Sequence, residues 1–107
     1  MKTTKNTMDV TMVRIYLTEA EKMIETLLKR LHDWEKVRGV TVFRGISGFG
    51  KSGVMHSSKL LDMSLDLPVV IEFFDEPDKV ELILEHLSGT IEPGQIVSWP
   101  ARLQVEA

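Results

Sequence analysis

The chain of 107 residues contains no cysteine. That excludes disulfide staples, thiolate metal sites and cysteine nucleophiles, and it fits a reducing compartment. A basic stripe is also missing: 13 lysines and arginines are scattered among 16 acidic residues, and the net charge is −3. Phosphate-backbone binding needs such a stripe, so nucleic acid is not an expected partner. No apolar run approaches the ~20 residues of a membrane span, and residues 1–9 are polar, without the apolar stretch of a signal peptide. A cytoplasmic protein without membrane insertion is expected. The G-I-S-G string at residues 45–48 is not followed as a G-x-S-x-G elbow requires, which leaves serine-hydrolase chemistry unsupported. His32, His56 and His86 are far apart, and none belongs to an H-E-x-x-H pair.

What the chain does have is the composition of an ordinary globular protein, 43% hydrophobic and 27% charged. Its length fits one domain spanning 1–107, with residues 1–8 expected to be flexible. Residues 10–17 alternate as a strand, with Val13, Ile15 and Leu17 on one face and Val10, Met12, Arg14 and Tyr16 on the other. Thr18, Glu19, Ala20 and Glu21 have the form of a capping box, which predicts a helix starting there. Its apolar stripe would be Ala20, Ile24, Leu27, Leu28, Leu31 and Trp34, and Gly39 would turn left-handed past its end.

Residues 40–44 read as a second strand, and the apolar run from Leu65 to Phe74 as a third. Asp75, Glu76, Pro77 and Asp78 open a second helix as acidic caps with an early proline, and its stripe is Val80, Ile83, Leu84 and Leu87, with Gly89 ending it. His32 and His86 fall late in the two helices, where a cation meets the helix dipole favourably. Residues 96–105 supply a last strand, with Pro100 marking an edge or a bulge. The order β-α-β-β-α-β predicts an α+β, ferredoxin-like domain: a four-stranded antiparallel sheet with both helices on one face. Residues 69–74 are apolar on both sides except at Glu72, so the second sheet face needs a cover. Another copy of the chain is the simplest one, and a homo-oligomer is expected. Trp34 and Trp99 are then read as packing or subunit-contact residues.

Between the second and third strands, residues 45–52 read G-I-S-G-F-G-K-S and fit the Walker A pattern. The chemistry of that pattern needs a helix beginning at Lys51, whose amides and dipole hold the phosphate. Gly53 sits inside that would-be first turn, and the chain is too short for a large parallel sheet. A glycine-rich connection of this length is costly to order, and such loops often engage a ligand or partner.

The stretch V-F-R-G-I-S-G-F-G-K-S-G-V-M-H-S-S-K-L-L, followed by D-L-P-V-V-I-E, resembles the signature of a prokaryotic family of uncharacterised PII-like proteins. That resemblance runs from about Val13 to Ile96. It implies kinship in fold with the PII signal-transduction proteins, ferredoxin-like trimers that bind adenine nucleotides between subunits and dock on targets through a T-loop. Gly48-Phe49-Gly50 resembles the R-G-F-G that opens the T-loop, and Lys51 stands where PII has a basic residue. The turn after the second helix reads S-G-T-I-E-P-G-Q-I-V against T-G-K-I-G-D-G-K-I-F in PII. Gly89 and Gly94 are kept. Glu92 replaces a glycine, Gln95 replaces the phosphate-binding lysine, and Arg102 alone stands near the C-terminal arginine pair.

The resemblance therefore implies a non-enzymatic regulatory protein, a trimer with no required cofactor, whose effector is AMP, ADP or ATP. The ligand-binding set it implies is Gly39, Arg44, Gly45, Gly48, Phe49, Gly50, Lys51, Gly53, His56 and Gly94, with no catalytic and no metal residue, and residues 44–60 would meet a protein target. The alternatives are a minimal P-loop nucleotidase and a metal-binding or structural trimer in which His56 takes part.

Overall fold

A computed structural model describes residues 6–19, 21–50, 53, 55–57 and 66–106. Strand β1 (Thr7–Thr18) leads to helix α1 (Met23–Lys29), which widens into a π-helical turn (Arg30–Trp34). Strand β2 (Gly39–Arg44) is followed by two short strands, β3 (Ser47–Gly48) and β4 (His56–Ser57), that pair with each other. Strand β5 (Pro68–Asp75), helix α2 (Pro77–Leu87), a 3-10 turn (Pro93–Gln95) and strand β6 (Ile96–Gln104) complete the chain. The main sheet has the order β2-β5-β1-β6 with every neighbour antiparallel, which is the ferredoxin-like arrangement. Pro100 does lie on an edge strand, where its missing N–H costs no ladder bond.

Strand parity decides what is buried. Val13, Ile15 and Leu17 pair with Phe73, Ile71 and Val69, and all six are at most 4% exposed. Leu27 and Leu31 of the first helical segment and Val80, Ile83 and Leu87 of α2 cover that face, and Ile91 closes one side. Apolar side chains buried this fully contribute about 1.5–3 kcal/mol each, so this single layer of contacts carries the fold. The other face of the sheet has no covering element among the described residues. It presents Met12, Tyr16, Phe43, Val70, Phe74, Val97, Trp99 and Leu103 around one ion pair, Arg14 to Glu72 at 2.7 Å. The Arg14 guanidinium lies 5.5 Å from the Trp99 ring centre and 5.9 Å from that of Phe43, and its bond to Glu72 raises its pKa above the usual arginine value.

Several boundaries differ from the sequence-based expectation. The capping box does not start a helix: Thr18 is still paired with Pro68 in the sheet, and α1 begins only at Met23. Half of the box nevertheless forms, since the Thr18 N–H donates to Glu21 Oε2 at 2.8 Å and the Glu21 N–H to the Thr18 carbonyl at 3.0 Å. Ala20 lies outside the described residues. Thr7 and Met8, expected to be flexible, pair with Gln104 and Leu103 at the start of β1. Trp34 is not on the buried stripe but is 78% exposed. The Glu35 N–H bonds back to the Arg30 carbonyl, five residues earlier, and this wider turn moves Trp34 out of phase with Leu27 and Leu31.

Past the helix, the residue with a left-handed backbone is Lys36, φ 53°, and not Gly39. Gly39 opens β2 instead, and a Cβ there would sit 2.7 Å from the Phe74 ring. Asp75 is not a helix cap either. It ends β5 at 3% exposure, accepts the Glu76 N–H at 2.8 Å and the Arg38 N–H at 3.1 Å, and meets Lys79 Nζ at 3.0 Å. This carboxylate ties the turn before β2 to the turn before α2.

Candidate functional site

The β2 end of the sheet is where the glycine loop departs. The Gly45 N–H donates to the Pro68 carbonyl at 2.7 Å, continuing the β2–β5 ladder one step past Arg44. Gly45 and Gly48 both lie against the Pro68 ring, since a Cβ on either would be 3.2 Å from its Cγ. The chain then turns up into β3, Ser47 and Gly48, which pair with Ser57 and His56. Gly53 takes φ 76° near the tip, a conformation side chains rarely adopt. Ile46, Phe49 and Met55 are 81%, 69% and 61% exposed, so the hairpin offers apolar side chains to solvent. A Walker loop would need a helix here. The described residues give a strand at His56–Ser57, where such a helix would run.

Arg44 closes the base. Its Nη2 lies 2.6 Å from Oε2 of Glu19, the residue after β1, and the two reach toward each other across the start of β5. Together with Val42, Val69, Ile24, Glu21, Lys22 and Glu25 they line an open groove of about 540 Å³. Val42 is 42% exposed there although it sits on the helix-covered face, because the short α1 does not reach over the edge of β2.

Of the residues named from sequence, the structure brings Gly45 and Gly48 together against Pro68, with Arg44 beside them opposite Val69 and Phe49, Gly50 and Gly53 above them on the hairpin. His56 joins through its backbone pairing with Gly48, and its side chain, like Lys51, lies outside the described residues. Gly39 is not part of this group: it begins the strand that Arg44 ends, roughly 17 Å away at ~3.3 Å per residue, beside a smaller recess on the open sheet face. Gly94 lies in the 3-10 turn just before β6. That turn is at the same end of the sheet as Arg44 but on the opposite edge, with β5 and β1 in between.

Gln95, at the position of the phosphate-binding lysine in the PII pattern, has a structural task here. Its Oε1 accepts the Glu92 N–H at 3.2 Å, and its Nε2 donates to the Tyr16 carbonyl at 3.1 Å, which pins the turn onto β1. Sequence pattern alone nominates neither this bracket nor Glu19, because both depend on strand register.

The two histidines late in the helical segments meet carboxylates. His32 Nδ1 is 2.6 Å from Asp33, and His86 Nδ1 is 3.1 Å from Glu35. Among the described residues no group of three or more metal-ligating side chains gathers, and no helix is long and apolar enough to cross a membrane.

A four-stranded antiparallel sheet of order β2-β5-β1-β6 with its helices on one face matches the ferredoxin-like fold of the PII-like proteins. Structures of CPII, a PII-like protein from Thiomonas intermedia K12, superimpose with TM-scores of 0.62 and 0.63 at 26% and 25% identity, covering 94% of this chain and 92% of theirs. One holds ADP and bicarbonate, the other ADP, AMP and bicarbonate. The family described as DUF190, Uncharacterized ACR, matches residues 10–103, and the chain belongs to it. A UPF0166 protein of Aquifex aeolicus is 35% identical over 83 residues, 73% of this chain and 78% of that one. The UPF0166 protein of Methanocaldococcus jannaschii is 31% identical over 93 residues, 79% and 82% of the two chains.

Proposed function

We propose that this chain is a non-enzymatic, PII-like regulatory protein that binds an adenine nucleotide between copies of itself and signals through the hairpin of its glycine loop. The observation that carries the reading is the loop base at the free end of an edge strand: Gly45 and Gly48 against the Pro68 ring, and next to them Arg44, opposite Val69 and turned to the groove. Glycines allow a ligand close backbone approach, and Arg44 supplies positive charge. The Gly94 turn is the second part of such a site. Within one chain the two parts are separated by two strands, about 14 Å at ~4.8 Å per strand spacing. A β2 edge from one copy set beside a β6 edge from another closes that distance.

CPII, with its bound ADP, supports the choice of ligand class. The Gln95 bracket favours a ligand that does not need a lysine at that turn, so AMP and ADP are favoured over ATP. The open face with Arg14 and Glu72 is self-complementary in charge and apolar at most of its other positions, which suits burial against further copies in a trimer. The exposed Ile46, Phe49 and Met55 then remain for a protein target.

Isothermal titration with AMP, ADP and ATP tests the reading. Saturable binding that weakens at least several-fold in Arg44→Gln supports it. Equal affinities for the wild type and Arg44→Gln would move the site away from the loop base.

A further inference from the structure

Among the described residues of the loop base, the cation Arg44 is already paired. Arg44 is 62% exposed, yet its Nη2 is 2.6 Å from Glu19 Oε2, and Glu19 is only 28% exposed. Glu19 is not a freely swinging side chain. Its backbone N–H donates to the Leu67 carbonyl at 2.9 Å, and its Oε1 lies 3.4 Å from the Leu67 N–H. Anchored at the start of β5, the carboxylate stays near Arg44 whether or not the two are in contact. The groove beside them adds Glu21 and Glu25 against Lys22, so carboxylates outnumber cations along its lining.

We infer that Glu19 is a specificity-determining residue of the effector site, one that competes with an anionic effector for Arg44 and discriminates against multiple negative charge. The inference rests on the reading above, in which Arg44 faces the effector. Opening an exposed ion pair of this kind lowers affinity by only ~1.5- to 5-fold, so the contact does not block binding. The larger effect follows from the anchoring. Once Arg44 has turned to the ligand, the displaced carboxylate remains within a few ångströms of the incoming phosphate, and every further charge on the phosphate chain is repelled again. The penalty therefore rises from AMP to ADP to ATP. A freely mobile carboxylate would move into solvent and impose no such gradient.

Calorimetric titrations of AMP, ADP and ATP into the full-length wild type, Glu19→Gln, Arg44→Gln and the double variant test this. Glu19→Gln is expected to tighten binding by roughly 2- to 5-fold for AMP and roughly 10-fold or more for ATP. The gain should vanish when Arg44 is also glutamine. Glu19→Asp keeps the charge and should keep the wild-type order of affinities, which guards against an effect of altered folding. A gain equal for all three nucleotides, no gain, or a gain that persists without Arg44 would overturn the role of Glu19 while nucleotide binding itself stands. If neither the wild type nor Glu19→Gln binds any of the three, the effector reading falls, and the role of Glu19 falls with it.

Discussion

Replacing Asp75 by asparagine removes one charge from the point where the two turns of the fold are tied together. In the wild type Oδ1 accepts the Glu76 N–H at 2.8 Å, while Oδ2 accepts the Arg38 N–H at 3.1 Å and meets Lys79 Nζ at 3.0 Å. An asparagine offers one oxygen, so its NH₂ must face a backbone donor on one side or the other. One charge-assisted bond is lost outright, at about 1.5–3 kcal/mol, and a buried donor is left unpaired. Breaking a fully buried ion pair costs about 3–5 kcal/mol, but the side chains of Lys79 and Arg38 are 41% and 45% exposed and regain water. The expected loss is therefore about 2–3 kcal/mol. At ~4–8 °C per kcal/mol for a domain of this size, the melting temperature should fall by about 10–20 °C. Circular dichroism melts at a fixed protomer concentration measure this, the concentration being fixed because an oligomer melts at a concentration-dependent temperature. A fall of under about 3 °C would refute the assignment of Asp75 as the tie between the turns. Lys79→Met is the comparison: it removes the 3.0 Å contact with the carboxylate and the Nζ bond to the Lys36 carbonyl but leaves both backbone bonds to Asp75, and should cost less than Asp75→Asn.

On the open sheet face, Arg14→Met should weaken oligomers more than the double variant Arg14→Met with Glu72→Leu, because the single change leaves a carboxylate unpaired in a covered interface; sedimentation velocity would show the order. Arg14 has a pKa raised by its bond to Glu72, so the folded state holds its proton more tightly. The stability this contributes is fully present below the unfolded arginine pKa and is lost only at higher pH, so no melting change near neutrality should trace to Arg14. Gly39→Ala places a methyl group 2.7 Å from the Phe74 ring and should destabilise by ~1–3 kcal/mol in urea unfolding, with partial rescue by Phe74→Leu. Gln95→Ala removes the bracket to Glu92 and Tyr16 and should lower stability by about 1 kcal/mol, as urea unfolding would show.

The parts of the fold that follow local periodicity are readable in the chain. Val13, Ile15 and Leu17 alternate, Val80, Ile83 and Leu87 recur at helical spacing, and both sets are buried as that spacing requires. What the sequence hides is set by tertiary contact. Gly39 looks like a helix terminator, but the need for a glycine comes from the Phe74 ring on the next strand, while Lys36 takes the left-handed turn with its carbonyl held by Lys79 Nζ at 2.8 Å. Trp34 fits the apolar stripe only if the turns stay α-helical, and the five-residue bond from Glu35 to Arg30 changes the phase. At the candidate site the same division holds. The glycines announce the loop, whereas the pairing of Arg44 with Glu19 and of Gln95 with Tyr16 arises only when β1, β5, β2 and β6 come into register.

Native mass spectrometry of the purified protein, with and without ADP, tests the central claim most directly. An assembly of three 12.2 kDa chains that takes up as many as one ADP per chain is the predicted result. A single 12.2 kDa chain with no nucleotide bound at any ADP concentration would contradict it.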